Sequence, residues 1–398
     1  MKAKNDVLYF EMYDLYFSRE VNVLIMAFLL LFRTKSFNFH EPAYRIYLKK
    51  FPGKFIKILR VINIVIKLFL FKHGLTKTIN NSTSVPYNGH ILMDTSEGYK
   101  VFDLKKKLVI TQYNEEYRGN IFEQIAERLK EVQKYGISNS VESIDYRNLC
   151  IYERYINLYK ANFFYPFTTY FYQRIFPLWK RNITLLPSRE VELKAYISNL
   201  ENYISDSVEH YKNNNRKNLE VLNFIHDFTN ELSSKLLLEE NIKNVYLCQT
   251  HGDLHHKNML IDSKSGVLID CNTMKERSIL HDLFFMYFYN LFKINSISLQ
   301  EFSSKLDKCI EEAILFLQKR NNINIREKNF YRKLFYLEYI ALAFEFNINI
   351  FHGSQRRIEE ELDYFYDFFK MFEDAEHNIT PLNPEVGNNL YVKEKSVI

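Results

Sequence analysis

Apolar residues change their spacing several times between the start and the end of this chain. Residues 21–32 read VNVLIMAFLLLF, twelve positions interrupted only by Asn22. A bilayer span takes about 20 apolar residues, so this run is too short to cross alone. Residues 55–71 carry a 3.6-residue repeat instead. Phe55, Ile58, Leu59, Ile62, Val65, Ile66 and Phe69 fall on one side, and Lys57, Arg60, Asn63 and Lys67 fall on a polar arc. That predicts an amphipathic helix with a basic face. It has two readings: a helix packed by its apolar side on the protein body, or an in-plane contact with a membrane or an acidic partner. Residues 80–89 (NNSTSVPYNG) are polar and contain Pro and Gly, which predicts a linker.

Beyond the linker the spacing shortens. Residues 90–93, 99–103 and 108–113 predict three strands, with turns at Ser96-Glu97-Gly98 and Lys105–Lys107. Residues 120–135 return to helical spacing through Ile121, Ile125, Leu129 and Val132. Residues 141–146 and 149–156 predict two more strands. The order over 90–156 is therefore β-β-β-α-β-β. From Asn157 to Asn241 the chain is mainly helical, with no internal repeat.

Composition narrows the fold class. Of 398 residues, 34 are Phe and 29 are Tyr, against 10 Gly and 8 Pro, which disfavours an all-β chain rich in turns. Hydrophobic residues at 47% and charged residues at 25% exclude disorder. The Cys residues 150, 248, 271 and 309 lack CxxC spacing, so neither a disulfide scaffold nor a zinc ribbon is indicated. That usage suits a reducing, cytoplasmic location. No secretory signal is expected, because residues 1–20 lack the basic-then-apolar order. The net charge of +5 is uneven: residues 1–85 hold 14 basic and 5 acidic groups, and the remainder is net acidic. An acidic body disfavours nucleic-acid binding.

The chemistry is concentrated in residues 245–285. An apolar run leads into HGDLHHKN at 251–258, then a predicted hairpin with a turn at 263–266, then VLID ending at Asp270. A tight hairpin returns the chain to its starting point, so Asp253, Asn258 and Asp270 can converge. Two carboxylates and an amide oxygen suit phosphoryl transfer. A loop Asp can orient or deprotonate a hydroxyl. Mg²⁺ takes oxygen ligands, commonly a carboxylate or two with phosphates and water. Adjacent His255 and His256 lack a third ligand at zinc spacing.

The segment resembles the catalytic and metal-binding loops of the aminoglycoside phosphotransferase and choline kinase group, whose pattern is H-x-D-x-x-x-x-N, a hairpin, then apolar-apolar-Asp. The resemblance implies Asp253 as catalytic base, Asn258 and Asp270 as Mg²⁺ ligands, and His251 as a loop-fixing residue. It implies that Asp282, in His281-Asp282-Leu283, opens a helix and braces the loop. It also implies an α+β, two-lobed, protein-kinase-like fold with an N-terminal helical extension. The lobes would be a basic extension over 1–85, a nucleotide-binding lobe over 86–156 and a catalytic, acceptor-binding lobe over 157–398. Within the first lobe, Gly98 would approach the phosphates of ATP. Glu123 would partner the phosphate-gripping lysine, and Glu153 and Tyr155 would belong to the adenine hinge. The lysine position itself falls at Gln112, with Lys100 and Lys107 as substitutes on neighbouring positions. Cys271-Asn272 after Asp270, and no Ala-Pro-Glu beyond it, depart from protein kinases.

The implied activity is transfer of the γ-phosphoryl group of ATP, with Mg²⁺, to a hydroxyl of a small molecule or glycan. The alternative is a pseudokinase-type module that binds nucleotide or docks partners without turnover. Glu123 and Glu127, four apart, also read as a solvated helix face. The aromatics Phe163, Phe164, Tyr165, Phe167, Tyr170, Phe171 and Tyr172 read as core packing or as part of an acceptor pocket.

Overall fold

The structure is a computed structural model. It describes residues 6–37, 52–73, 82–161, 168–214, 218–239, 241–262, 266–291, 299–321, 323, 325, 328–348 and 355–377. The readings made for Phe163, Phe164, Tyr165 and Phe167, and for the turn residues 263–265, lie outside these residues. Two compact units are present. One takes in Met1–Ala161 and Met259–Ile269; the other takes in Asn162–Asn258 and Asp270–Lys395.

The first unit is built on an antiparallel sheet of β1 (Val7–Met12), β2 (Leu15–Ser18), β3 (Ser82–Val85), β4 (Ile91–Thr95), β5 (Gly98–Asp103), β6 (Leu108–Tyr113), β7 (Val141–Asp145) and β8 (Cys150–Arg154). Their order is β3-β1-β2-β4-β5-β6-β8-β7. Helices α1 (Val23–Phe32), α2 (Gly53–Lys72) and α3 (Asn120–Gln133) belong to the same unit. The β-β-β-α-β-β order read over 90–156 is the one observed.

Side-chain alternation divides this sheet into two apolar faces, because successive strand residues point opposite ways. Tyr9, Leu92, Val101, Ile110 and Cys150 make one cluster. Their neighbours Phe10, Ile91, Phe102 and Val109 make the other, which α1 and α2 cover through Met26, Leu29, Leu30, Val61, Ile64 and Leu68.

Three sequence readings are corrected here. Residues 1–85 hold the expected amphipathic helix and a second helix over the apolar run, but are not a purely helical extension, since β1, β2 and β3 are strands of the main sheet. β2 pairs with β4 directly, Tyr16 opposite Leu92. The predicted linker 80–89 supplies edge strand β3, Leu8 opposite Ser84. The face that α2 buries also differs from the predicted apolar side. It buries Ile56, Arg60, Val61, Ile64 and Leu68, and turns Phe55, Ile58, Leu59, Ile62, Ile66 and Phe69 outward. Arg60, placed on the polar arc by spacing, is buried with its guanidinium 5.4 Å from the Tyr13 ring.

The chain leaves the sheet through β9 (Tyr159–Lys160) and runs into the second unit. There α4 (Phe176–Leu185), β10 (Ser188–Glu192), α5 (Leu193–Asn214), α6 (Leu219–Leu237) and β11 (Asn244–Thr250) follow. It returns to the first unit for the hairpin β12 (Met259–Ile261) and β13 (Gly266–Leu268), which pairs with β9. Then come β14 (Lys275–Ser278), α7 (His281–Leu291), α8 (Leu299–Asn321), α9 (Lys328–Leu342) and α10 (Gln355–His377). β10, β11 and β14 form a small antiparallel sheet.

Helix α9 is buried on nearly every side from Phe330 to Leu342, as a helix apolar all round must be. Its rings interlock with those of α7 and α10: Phe335 stacks on Phe288 at 5.6 Å, and Tyr336 on Phe372 at 4.6 Å. The surplus of Phe and Tyr is spent on this core. One polar group inside it, Glu338, is matched: its carboxylate accepts from the Ser278 amide at 2.6 Å, the Ser278 hydroxyl at 2.7 Å and the Tyr196 hydroxyl at 2.7 Å.

Candidate active site

β11 delivers the loop 251–258, and buried groups fix its shape. His251 is wholly buried, and its Nδ1 accepts the Asp253 amide at 3.3 Å. Gly252 adopts φ +83°, and a Cβ there would lie 2.8 Å from an Arg277 guanidinium nitrogen. From the first turn of α7, Asp282 accepts the amides of His251 at 2.9 Å and Gly252 at 3.0 Å. This is the bracing the resemblance implied. Burial alone would raise the Asp282 pKa, but His281, whose Nδ1 lies 3.7 Å away, and His251, through its charge and its amide, hold it below the usual carboxylate range.

Beyond the brace the loop turns outward. Asn258 is buried, and its Nδ2 donates to the Asp253 carbonyl at 2.9 Å and to the Asp253 carboxylate at 3.0 Å. Asp253 keeps 43% of its side chain exposed. Both side-chain bonds of Asn258 use the amide nitrogen, and its Oδ1 accepts none among the described residues. His255 lies 3.6 Å from the Asp253 carboxylate and stacks on Tyr289 at 4.7 Å.

Asp270 follows β13 in a left-handed conformation, φ 62° and ψ 47°. Asp tolerates that region better than most side chains. The turn after it is tied to the loop, because the Thr273 hydroxyl donates to the His251 carbonyl at 2.7 Å. Arg277, buried on β14, donates to Thr250 Oγ1 at 3.1 Å and to the Thr273 carbonyl at 3.2 Å. Sequence reading missed Thr273 and Arg277, whose roles come from the pairing of β14 with β11 and leave no local signature. Gly252 was readable as the only residue that turns between His and Asp without a Cβ.

Among the described residues no group of three or more His, Cys, Asp or Glu side chains is gathered to hold a metal ion. The donor set here is of another kind. The amide oxygen of Asn258 and the carboxylate of Asp270 are hard oxygen donors, the type Mg²⁺ takes and zinc does not prefer.

The residues assigned to nucleotide sit in the first unit, spread across the sheet. Gly98 opens β5 at φ +148°, where a Cβ would be 2.1 Å from the Gln112 carbonyl, so the strand pairing itself demands Gly. Glu123 is exposed on the first turn of α3. Glu153 accepts from Asn139 Nδ2 at 2.9 Å. Tyr155 is a core residue: its amide donates to the Lys107 carbonyl at 2.8 Å and its hydroxyl to the Arg33 carbonyl at 2.7 Å.

Gln112 is occupied as a lock between strands. Its Oε1 accepts from the Tyr87 hydroxyl at 2.9 Å, and its Nε2 donates to the Asn148 carbonyl at 2.6 Å. It points to the Tyr87 side of the sheet. Lys100, opposite Thr111, shares the other face with Val109 and with Tyr113, on which Phe122 of α3 packs at 5.4 Å. Lys107 sits exposed in the turn at the far end of β6.

Several solved structures resemble this chain. The chain is similar to choline and ethanolamine kinases and to aminoglycoside phosphotransferases. An ethanolamine kinase from Plasmodium vivax shares 17% identity over 79% of this chain and 90% of its own, with a TM-score of 0.44. A choline kinase from Streptococcus pneumoniae shares 13% over 72% and 91%, also at 0.44. An aminoglycoside phosphotransferase from Streptomyces rimosus shares 12% over 63% and 92%, at 0.39. No family model and no curated protein matches the chain.

Proposed function

We propose that the protein is a phosphotransferase that moves the γ-phosphoryl group of ATP, with Mg²⁺, to a hydroxyl group of a small molecule. The observation that carries this reading is the joined pair Asp253–Asn258. One carboxylate oxygen is held by the amide, the Asp253 side chain is 43% exposed, and the amide's own oxygen accepts no bond among the described residues. Asp253 orients the acceptor hydroxyl and takes its proton as the bond to phosphorus forms. Asn258 and Asp270 would hold the metal ion, which when bound offsets phosphate charge. Placing that base on a loop with both anchoring amides satisfied keeps its position fixed, which favours in-line attack.

The residues beside Asp253 are largely aromatic. Tyr289 stacks on His255 and on Phe285, the latter at 5.9 Å. Burial pushes the Tyr339 hydroxyl pKa well up, and the charges of Tyr364, Asp253, Tyr289 and Glu361 add to the push. The half-buried Tyr289 beside the partly exposed Asp253 carboxylate offers a cationic head one ring and one negative charge, so an alcohol bearing an ammonium group is the acceptor we propose over a neutral glycan. The four Cys residues are free and buried, in keeping with work in the cytoplasm.

The test is a panel of amino alcohols, aminoglycosides and neutral sugars incubated with ATP and Mg²⁺, with phosphorylated product read by mass spectrometry. Phosphorylated amino alcohol is expected. Nucleotide binding with no product on any acceptor would favour a non-catalytic module instead. In parallel, Asn258→Ala and Asp270→Ala should each weaken ATP binding in Mg²⁺ and leave the metal-free affinity unchanged.

A further inference from the structure

Helices α1 and α2 lie against each other over the sheet and bury one face each in the same cluster. Their outer faces are as apolar as the inner ones. On α1, Leu24 is 78% exposed, Phe28 57% and Phe32 59%, at the i, i+4, i+8 spacing of a single helix face. On α2, Ile58, Ile62 and Ile66 are exposed at the same spacing, with Phe55 and Phe69 at the ends of the row. Scattered exposed apolar residues are ordinary in a folded protein. Two aligned rows on adjacent helices form a patch, and patches mark contact surfaces.

Charge identifies what the patch meets. From residue 21 to residue 73 the sequence carries ten Lys or Arg and one acidic residue, Glu41. Lys54 and Lys67 are exposed beside Phe55 and Ile66. Burial, together with the nearby Lys35 ammonium, pushes the Lys57 pKa below its ordinary value, so two cations are crowded at one end of the pair. Among the described residues no helix is long and apolar enough to cross a membrane. An apolar face flanked by the exposed Lys54 and Lys67, on helices too short or too charged to span, is the chemistry of in-plane adsorption to an anionic bilayer.

We infer that the outer faces of α1 and α2 are a lipid-binding surface that seats the protein flat on a membrane rich in anionic headgroups. The arrangement needs no nucleotide and stands apart from the phosphotransferase reading. A second copy of the chain, the competing occupant of such a face, would bring its own Lys54 and Lys67 against these.

The test uses the full-length protein and vesicles of phosphatidylcholine alone or mixed with phosphatidylglycerol, with binding read by co-sedimentation. Binding to the mixed vesicles is expected, weakening as salt rises. The double variants Phe28→Ser with Ile62→Ser, and Lys54→Gln with Lys67→Gln, should each lower the partition coefficient by roughly tenfold or more. Both replace exposed side chains, so their thermal unfolding should match the parent's. No sedimentation with mixed vesicles would overturn the inference. So would a lipid-free dimer, seen by light scattering, that Phe28→Ser with Ile62→Ser splits into monomers, because the face would then belong to a second copy.

Discussion

Gly252 holds a conformation that other residues pay to adopt, and its hydrogen faces Arg277 at a distance no Cβ can occupy. Gly252→Ala should therefore destabilise the protein by about 1–3 kcal/mol, read as a lower urea midpoint at unchanged slope. Asp282 is the second fixed point. Replacing it by Asn leaves one of two buried amides without a full acceptor, at a cost of about 1.5–3 kcal/mol. Its folded pKa is depressed, so its contribution is fully present above the unfolded value near 4 and is lost as pH falls through the lower folded value. The wild-type protein should lose stability on that acid limb, and Asp282→Asn should flatten it. A variant as acid-sensitive as the parent would remove Asp282 as the source. These residues were readable because the motif is local: His251, Gly252, Asp253 and Asn258 lie within eight positions, and the Asp282 brace comes as a helix-opening Asp.

Strand register decides which cation β5 and β6 present beside α3. Gln112 is turned to the Tyr87 face and consumed there, whereas Lys100 shares the Tyr113 face on which α3 packs. If the first unit holds ATP, Lys100→Met should raise its dissociation constant by roughly tenfold, and Lys107→Met should leave it unchanged; calorimetric titration distinguishes them. Equal effects would discard the register argument. Helix α2 shows where sequence pattern runs out. Both of its long faces are apolar, so a 3.6-residue repeat locates the helix without saying which face meets the core. The choice was made by contacts distant in sequence: Arg60 on the Tyr13 ring, and Asn63 Nδ2 donating to the Tyr13 hydroxyl at 2.6 Å.

The N-terminal 85 residues read as an appendage because, apart from the β1–β2 hairpin, their strands pair with strands distant in sequence. β1 pairs with β3 across more than seventy residues, and β2 with β4 across a similar gap. Such pairings leave no trace in a short window. Their consequence is that the segment cannot simply be removed. Deleting residues 1–85 takes away three strands and the helices covering Ile91, Phe102, Leu104 and Val109. The truncated chain should aggregate or lose cooperative unfolding, measured by solubility and thermal melting. A soluble truncation with an unchanged melting temperature would show that the sheet stands without them. The helix-rich unit was easier to anticipate, because its Phe- and Tyr-rich helices announce an aromatic core even where individual ring pairs cannot be foreseen.

The account rests on Asp253 acting on an acceptor hydroxyl while nucleotide is held independently of it. The most direct measurement is steady-state phosphoryl transfer from ATP with Mg²⁺ by the wild-type protein and by Asp253→Ala, alongside nucleotide affinity for both. Transfer should fall by about 10²–10⁴-fold with affinity unchanged. Transfer surviving in Asp253→Ala at the parental rate would contradict the assignment.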